Sequence, residues 1–340
     1  MVSWYPPSIT KTQVTKAGRE IASGNAGEDA LAVLELWRAS HAYIINTFQA
    51  NLRKRTRNSN AIVGTRLKRR ATIENKLRRF PEMQLSRMHD IAGCRVIFDD
   101  IEDLLKFRAD FHNARFQHKR RRAKDDPWNY LTQPKSDGYR GVHDVYEYDV
   151  RSDSGRAWNG LNIEIQYRTL VQHAWATAVE VAGLLTTHKP KLGQGSQEFI
   201  EFFRVASEIL ARHFESNTAA LPDWSYPQLW SRLDELEHGA RIIQMFRRVN
   251  AKFVHINFRK NNILIFPYVD TSAENESELV IMTFNKVSRA IDKYNTLESE
   301  FAGRADVVLV RADSFDNMRV TFRNYFADTS DFVALLDIAR

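Results

Sequence analysis

IEIQYRTLVQHAWATAVE, Ile163 to Glu180, changes its hydrophobic period partway along. From Ile163 to Arg168 the residues alternate, with Ile163, Ile165 and Tyr167 on one face and Glu164, Gln166 and Arg168 on the other, the pattern of a half-buried strand. After Thr169 the spacing turns helical: Val171, Ala174, Ala178 and Val181 recur on one side, and Thr169 stands where an N-cap belongs. The strand's polar face carries a carboxylate, an amide and a guanidinium. For a lone strand such a face is ordinarily a solvated one, so a function for it depends on the rest of the chain.

The chain has 340 residues, 43% of them hydrophobic, enough for a substantial core and, on the usual size of domains, about two of them. No run approaches the ~20 apolar residues that span a bilayer, and the N-terminus MVSWYPPSIT lacks the basic-then-apolar layout of a signal peptide. The expectation is a cytoplasmic protein with no membrane partner. One cysteine, Cys94, rules out an internal disulfide and a cysteine zinc site, and its setting AGCRVIF reads as core. The net charge of +7 suits a polyanionic partner. The excess is concentrated early, at Arg53 to Arg57, from Arg66 to Arg79, and at Lys119 to Arg122.

Residues 28–50 read as an amphipathic helix and 61–79 as a second, ended by Pro81. A strand at 93–98, a helix at 101–114, a basic segment containing KRRRAKDDPW, the loop QPKSDGYRG, the strand HDVYEYDV and the turn SDSGR lead to the quoted stretch. Helices at 195–217 and 227–248 complete an α/β unit. From Phe253 the text turns strand-like (FVHINF, NILIFPYV, DVVLV) around one helix near 285–300. The predicted organisation is a helical leader over 1–50, a mixed β-sheet flanked by helices over 51–250, and a smaller α+β C-terminal domain over 251–340 with a core of its own.

Several polar groups stand out. Lys68, Thr72 and Lys76 are four apart and share one side of a helix, with Arg79 close by; a solvated helix gives the same pattern. Asp90 sits just before a strand beginning Gly93 and Arg95, where a carboxylate can hold a divalent cation. The pair His89 and Asp90 alone does not make a metal phosphohydrolase, whose further ligands come from helices; here a strand follows at once. In SDGYRGVH the glycines let a ligand approach the backbone, and Tyr139 offers a ring for a base to stack on or, more plainly, covers its own core. His143, at the entry to a strand, is on its own more often a satisfied polar residue than a ligand.

In this order the elements resemble the synthetase domain of the RelA/SpoT family of alarmone enzymes, over about residues 60–185. RLKRRATIENK is similar to that family's basic ATP helix, with Thr72 where serine is common; HDIAGCRVI to its magnesium-binding Asp motif; PKSDGYRGVH to its acceptor loop; and IEIQYRT to its Glu-x-Gln strand. The resemblance implies a nucleotidyltransferase-like fold and a reaction that moves the β,γ-pyrophosphate of ATP to a ribose hydroxyl. It implies Arg66, Lys68, Thr72 and Lys76 as ATP contacts, Asp90 and Glu164 as catalytic residues and Mg2+ ligands, with Glu164 accepting the hydroxyl proton, and Lys135, Tyr139, His143, Gln166 and Arg168 on the acceptor side. Arg140 and Gly141 depart from the Lys and Ser common in alarmone makers, which opens the identity of the acceptor.

The YRGVHDVYEY wording, the basic early region and the C-terminal domain look most like CapRel-type proteins, in which toxin and antitoxin are fused. That resemblance implies pyrophosphorylation of the 3′ CCA end of tRNA, which blocks translation; inhibition by the C-terminal domain, with Tyr325 and Phe326 as candidate regulatory residues; and release by a phage protein, the major capsid protein being a candidate trigger. The alternatives are a GTP/GDP pyrophosphokinase making (p)ppGpp and, in another class, a nucleic-acid-binding module without catalysis. Against the last stand Asp90 and Glu164 together, which repel phosphate unless a metal is bound. The sequence carries no sign of the oligomeric state.

Overall fold

The computed structural model describes residues 7–121, 125–186, 197–248, 261–267, 280–301, 304–311 and 329–340. Two helices open it, α1 (Lys11–Ala22) and the long α2 (Glu28–Thr56). The segment expected to be helical over 61–79 divides: β1 (Ile62–Leu67) is a strand, and only α3 (Arg70–Arg79) is a helix. Val63, Thr65 and Leu67 are buried in alternation, and this two-residue period outweighs the helical tendency of the basic residues that follow.

The chain continues through β2 (Ala92–Phe98), α4 (Ile101–His112), the two-residue β3 (Lys119–Arg120) and β4 (Val142–Glu147). After a short helical turn, α5 (Asp153–Arg156), come β5 (Asn162–Thr169) and α6 (Leu170–Thr186). Thr169 does cap α6: its Oγ1 accepts from the Gln172 amide at 3.1 Å, and the Gln172 side chain accepts from the Thr169 amide at 3.2 Å. α7 (Gln197–Glu215) follows. The helix expected over 227–248 is two, α8 (Tyr226–Ala240) and α9 (Ile242–Arg248). Arg241 between them is left-handed at φ 53°, and the Glu237 carboxylate accepts from the amides of Ile243 and Gln244, restarting the helix at a new angle.

The C-terminal stretch supplies β6 (Asn261–Pro267), β7 (Val280–Phe284), α10 (Val287–Glu300), β8 (Ala305–Arg311) and α11 (Ser330–Ala339). FVHINF, Tyr325 and Phe326 lie outside the described residues. All the strands join one eight-stranded mixed sheet in the order β3-β4-β5-β2-β1-β8-β6-β7, parallel at β2–β5 and antiparallel elsewhere. The C-terminal strands therefore extend the same sheet: β8 pairs with β1 through Thr65–Arg311 and Arg66–Val310. Ile263, Tyr294, Leu297 and Val307 belong to the same buried cluster as Val63 and Cys94. The expected separate C-terminal core is thus corrected; residue 250 marks a change in sequence character and not a break in the sheet.

α2 and α4 cover one face of the sheet. There Phe48, Leu52, Leu104 and Phe111 close over Val63, Cys94, Ile165 and Tyr167. A second cluster joins α6, α7, α8, α9 and α11, with Tyr139 packed against it. Among the described residues no helix is long and apolar enough to cross a membrane.

Candidate active site

The register of four strands lays out the other face. Residues two apart share a face, and partners across a ladder point the same way. Gly64 is paired with Arg95, Arg95 with Gln166, and Gln166 with His143; one step along, Arg66 is paired with Gly93 and Gly93 with Glu164. The alternation in IEIQYRT therefore continues sideways into a polar array. Arg66, Asp90, Gly93, Arg95, Glu164 and Gln166 line one cleft on it. A Cβ on Gly93 would fill its floor, 3.8 Å from the Arg66 carbonyl.

Lys68 and Lys76 both reach Asp90: their ammonium groups donate to Oδ2 at 2.8 and 2.9 Å. They converge although Lys68 lies before α3 and not on it, because the Lys68 amide is bonded to the Ile91 carbonyl at 2.8 Å, which draws the end of β1 alongside Asp90. Thr72 is half-buried one turn before Lys76. Burial works to raise the Asp90 carboxyl, but the charges of Lys68 and Lys76 outweigh it and hold the group below its ordinary range. Burial lowers the Lys68 ammonium. Asp90 Oδ1 is buried without a hydrogen-bond partner.

Glu164 is held on both oxygens: His143 Nδ1 lies 3.1 Å from Oε1, and Gln166 Nε2 donates to Oε2 at 2.8 Å. Burial pushes this carboxyl up, yet the charge and hydrogen bond of His143, with help from Gln166, hold it well below the usual carboxylate range. His143 is the converse. Burial lowers it, and Tyr139 and Glu164 raise it to about 9, so both ring nitrogens carry protons near neutral pH. Its Nε2 sits 2.7 Å from the Tyr139 hydroxyl, which also accepts from Arg168 Nη2 at 3.1 Å. His143 is therefore engaged by two protein groups and does not present a free nitrogen to an acceptor phosphate. Lys135 Nζ and the Arg168 guanidinium lie 4.9 and 5.2 Å from the centre of the Tyr139 ring, so a base stacking there meets a ring already flanked by cations.

The loop that carries Tyr139 is seated on α7. Gly138 has φ 92°, its carbonyl accepts from Ser207 Oγ at 2.6 Å, and a Cβ there would come within 3.0 Å of Arg204 Cα. Only glycine fits. Arg140 turns the other way, into a buried ion pair with Glu215, whose other oxygen accepts from Thr169 and Gln172. Arg140 thus ties the loop to the end of α7, on the side away from the Tyr139 hydroxyl network. Arg95 is the site residue that sequence reasoning left aside. It is buried in the array and lowered to about 9 by burial and by the like charges of Arg168 and Arg66. Its signal was its position two residues after Gly93 on the same strand.

Residues 65–183 match the profile of the region found in RelA/SpoT proteins. The GTP pyrophosphokinase YjbM of Bacillus subtilis is 34% identical over 120 residues, 33% of this chain and 51% of its own length. YwaC of the same organism, also a GTP pyrophosphokinase, is 33% identical over 122 residues, 33% and 53%. The chain thus spans about half the length of the curated relatives it matches. The crystal structure of small alarmone synthetase 1 from Bacillus subtilis bound to pppGpp overlays with a TM-score of 0.42 at 26% identity, over 52% of this chain and 90% of that one.

The residues present fit a magnesium ion. Asp90 Oδ1 is buried and unpartnered, and Glu164 lines the same cleft. Among the described residues no group of three or more His, Cys, Asp or Glu is placed to hold a metal, and magnesium typically takes one or two carboxylates and completes its shell with water and substrate phosphates.

Proposed function

We propose that the chain is an ATP-dependent pyrophosphokinase, transferring the β,γ-pyrophosphate of ATP to a ribose hydroxyl and releasing AMP. The observation that carries the reading is the cleft itself: Asp90 with one oxygen unpartnered, Glu164 beside it, and Arg66, Lys68, Lys76 and Arg95 around them. Magnesium, bound through Asp90 and Glu164, would offset charge on the transferring group. The protein's own cations do the same work from fixed positions, Lys68 and Lys76 from the end of β1 and from α3, Arg66 and Arg95 from the strands. Each Glu164 oxygen keeps a lone pair beyond the bond it accepts, so the carboxylate can take the proton of an attacking hydroxyl. His143, charged near neutral pH, keeps Glu164 ionised for that step.

For the acceptor we infer a guanosine nucleotide, seated against Tyr139. The two Bacillus subtilis relatives bear the name GTP pyrophosphokinase, and several cations of the basic clusters that favoured tRNA are engaged within the protein. Arg55 lies over the Phe111 ring on the covered face of the sheet, and Arg78, Lys119 and Arg121 are paired with Glu74, Asp149 and Glu147. The second reading is tRNA modification by a toxin inhibited through its C-terminal domain and released by a phage protein. One contact favours it: Phe332 of α11 packs on Phe203, whose carbonyl accepts from Trp175, and Trp175 meets the Tyr139 ring at 6.3 Å. The C-terminus thereby touches the layer that supports the acceptor loop.

Incubating the full chain with magnesium, γ-labelled ATP and either GDP, GTP or tRNA tests both readings. Equal yields of AMP and labelled guanosine nucleotide are expected. Label in tRNA alone moves the acceptor to the second reading, and ADP or no turnover with every acceptor overturns pyrophosphate transfer.

A further inference from the structure

The link between β1 and α3 brings Lys68 and Lys76 to Asp90, and the residues that hold it come from elsewhere in the chain. α3 has no side-chain cap of its own and no acidic residue in its first turn, while its last turn carries Lys76, Arg78 and Arg79. A helix in this state leaves amides unsatisfied at its N-terminus. Glu298 of α10 fills the gap: Oε1 accepts from the Arg70 amide at 2.7 Å, across 228 residues of sequence. Its other oxygen lies 2.9 Å from Arg38 Nη2. Arg38, fully buried on α2, donates through Nε to the Lys68 carbonyl at 3.1 Å and through Nη2 to the Tyr294 hydroxyl at 2.8 Å. The Lys68 carbonyl and the Arg70 amide are thus gripped by two side chains that are paired with each other, one of them from α10. α10 itself is anchored by Ala290, Ile291, Tyr294 and Leu297, all buried.

The geometry points to Glu298, backed by Tyr294, as a positioning residue for the ATP side of the site: it holds the β1–α3 link in the shape that presents Lys68 and Lys76 to the phosphates. This rests on the pyrophosphokinase reading for its consequence, though not for its geometry. The C-terminal stretch after residue 250 is then a support on which the donor site depends, and cutting it away removes the cap on α3 together with the β8–β1 pairing.

The test uses the full chain carrying Glu298→Ala, Glu298→Gln or Tyr294→Phe, with two readouts: the dissociation constant for α,β-methylene-ATP with magnesium, and amide hydrogen exchange over residues 68–73. Glu298→Ala is expected to weaken the analogue roughly tenfold, the usual worth of a lost cap, to speed exchange at the start of α3, and to leave the KM for the acceptor unchanged. Glu298→Gln keeps an oxygen for the Arg70 amide and loses the charge for Arg38, so it recovers part of both effects. Should Glu298→Ala fail to fold, the milder Glu298→Gln and Tyr294→Phe give the same ordering. Folded variants with wild-type analogue affinity and wild-type exchange overturn the proposal, as does an equal loss of ATP and acceptor affinity. If the wild-type chain binds no analogue, the functional reading falls, and the exchange data alone decide whether Glu298 holds the link.

Discussion

The two faces of the central strands are built from the same six- to eight-residue segments and obey opposite rules. On the covered face Val63, Cys94, Ile165 and Tyr167 meet α2 and α4 in a closed apolar layer, where burial stabilises the fold. On the open face Arg66, Arg95 and Arg168 crowd together, and Asp90 keeps a buried oxygen without a partner. Like charges and an unsatisfied carboxylate oxygen cost stability in the free protein. Alternation allows the protein to hold that cost on one face and offset it on the other. Changes on the open face should therefore move chemistry with little effect on folding, and changes on the covered face should do the reverse.

The largest effect expected is on the open face. Asp90→Asn or Glu164→Gln should reduce product formation at least about a thousandfold, ~4 kcal/mol in barrier, with a cooperative unfolding transition in urea retained. Each removes a negative charge that metal or proton transfer requires and keeps the side chain's shape. Turnover within tenfold of wild type in either variant breaks the comparison.

The covered face has its own titration. His41 on α2 is buried, its Nδ1 donates to the Trp37 carbonyl at 2.6 Å, and burial lowers its pKa from 6.5 to about 4. A depressed pKa means that the unfolded chain takes up the proton first as pH falls. The contribution is therefore complete above about pH 6.5 and lost as pH drops toward 4, about 3 kcal/mol over that window. Urea unfolding of wild type and His41→Gln at pH 7, 5.5 and 4.5 reads it: the wild type should lose more stability than the variant. Parallel curves would mean that His41 is solvated in the folded state.

At Tyr139 ring and hydroxyl can be separated. Tyr139→Ala should lower kcat/KM for the acceptor roughly tenfold to a hundredfold, since stacking of a base is worth about 1–3 kcal/mol. Tyr139→Phe keeps the ring and frees His143 and Arg168 from the hydroxyl, so a smaller loss is expected. If Phe is as poor as Ala, the hydroxyl network and not stacking is what the acceptor uses.

How much of this was legible depended on distance along the chain. Glu164, Gln166, Arg168 and the Thr169 cap could be read because strand and helix periods are local, and the cleft does gather Arg66, Asp90 and Glu164. The strand at 62–67 is masked in the sequence by the cations that follow it, which extend an apparent helical stripe; the β-branched Ile62, Val63 and Thr65 are the contrary signal. The pairing of β8 with β1 and the Glu298 cap on Arg70 left no trace in either local period, because each joins residues more than 200 positions apart.

The smallest effect distinguishes the acceptors. Lys54 and Arg55 are exposed at the end of α2, and Arg55 lies 5.7 Å over Phe111, which belongs to the covered face. A guanosine nucleotide held at Tyr139 never meets them, whereas a tRNA whose 3′ end enters the cleft has a backbone long enough to wrap round the edge of the sheet. Each phosphate neutralised by a lysine or arginine steepens the salt dependence of binding by roughly one unit in log–log slope. For Lys54→Glu with Arg55→Glu, activity on GDP or GTP should stay within about twofold of wild type, and its salt dependence should not change. A loss confined to tRNA, with a shallower salt slope, would bring the covered face into substrate binding and with it the tRNA reading. Exposed charges of this kind contribute at most about 1 kcal/mol to folding, so a change in activity without a change in urea unfolding can be assigned to the acceptor.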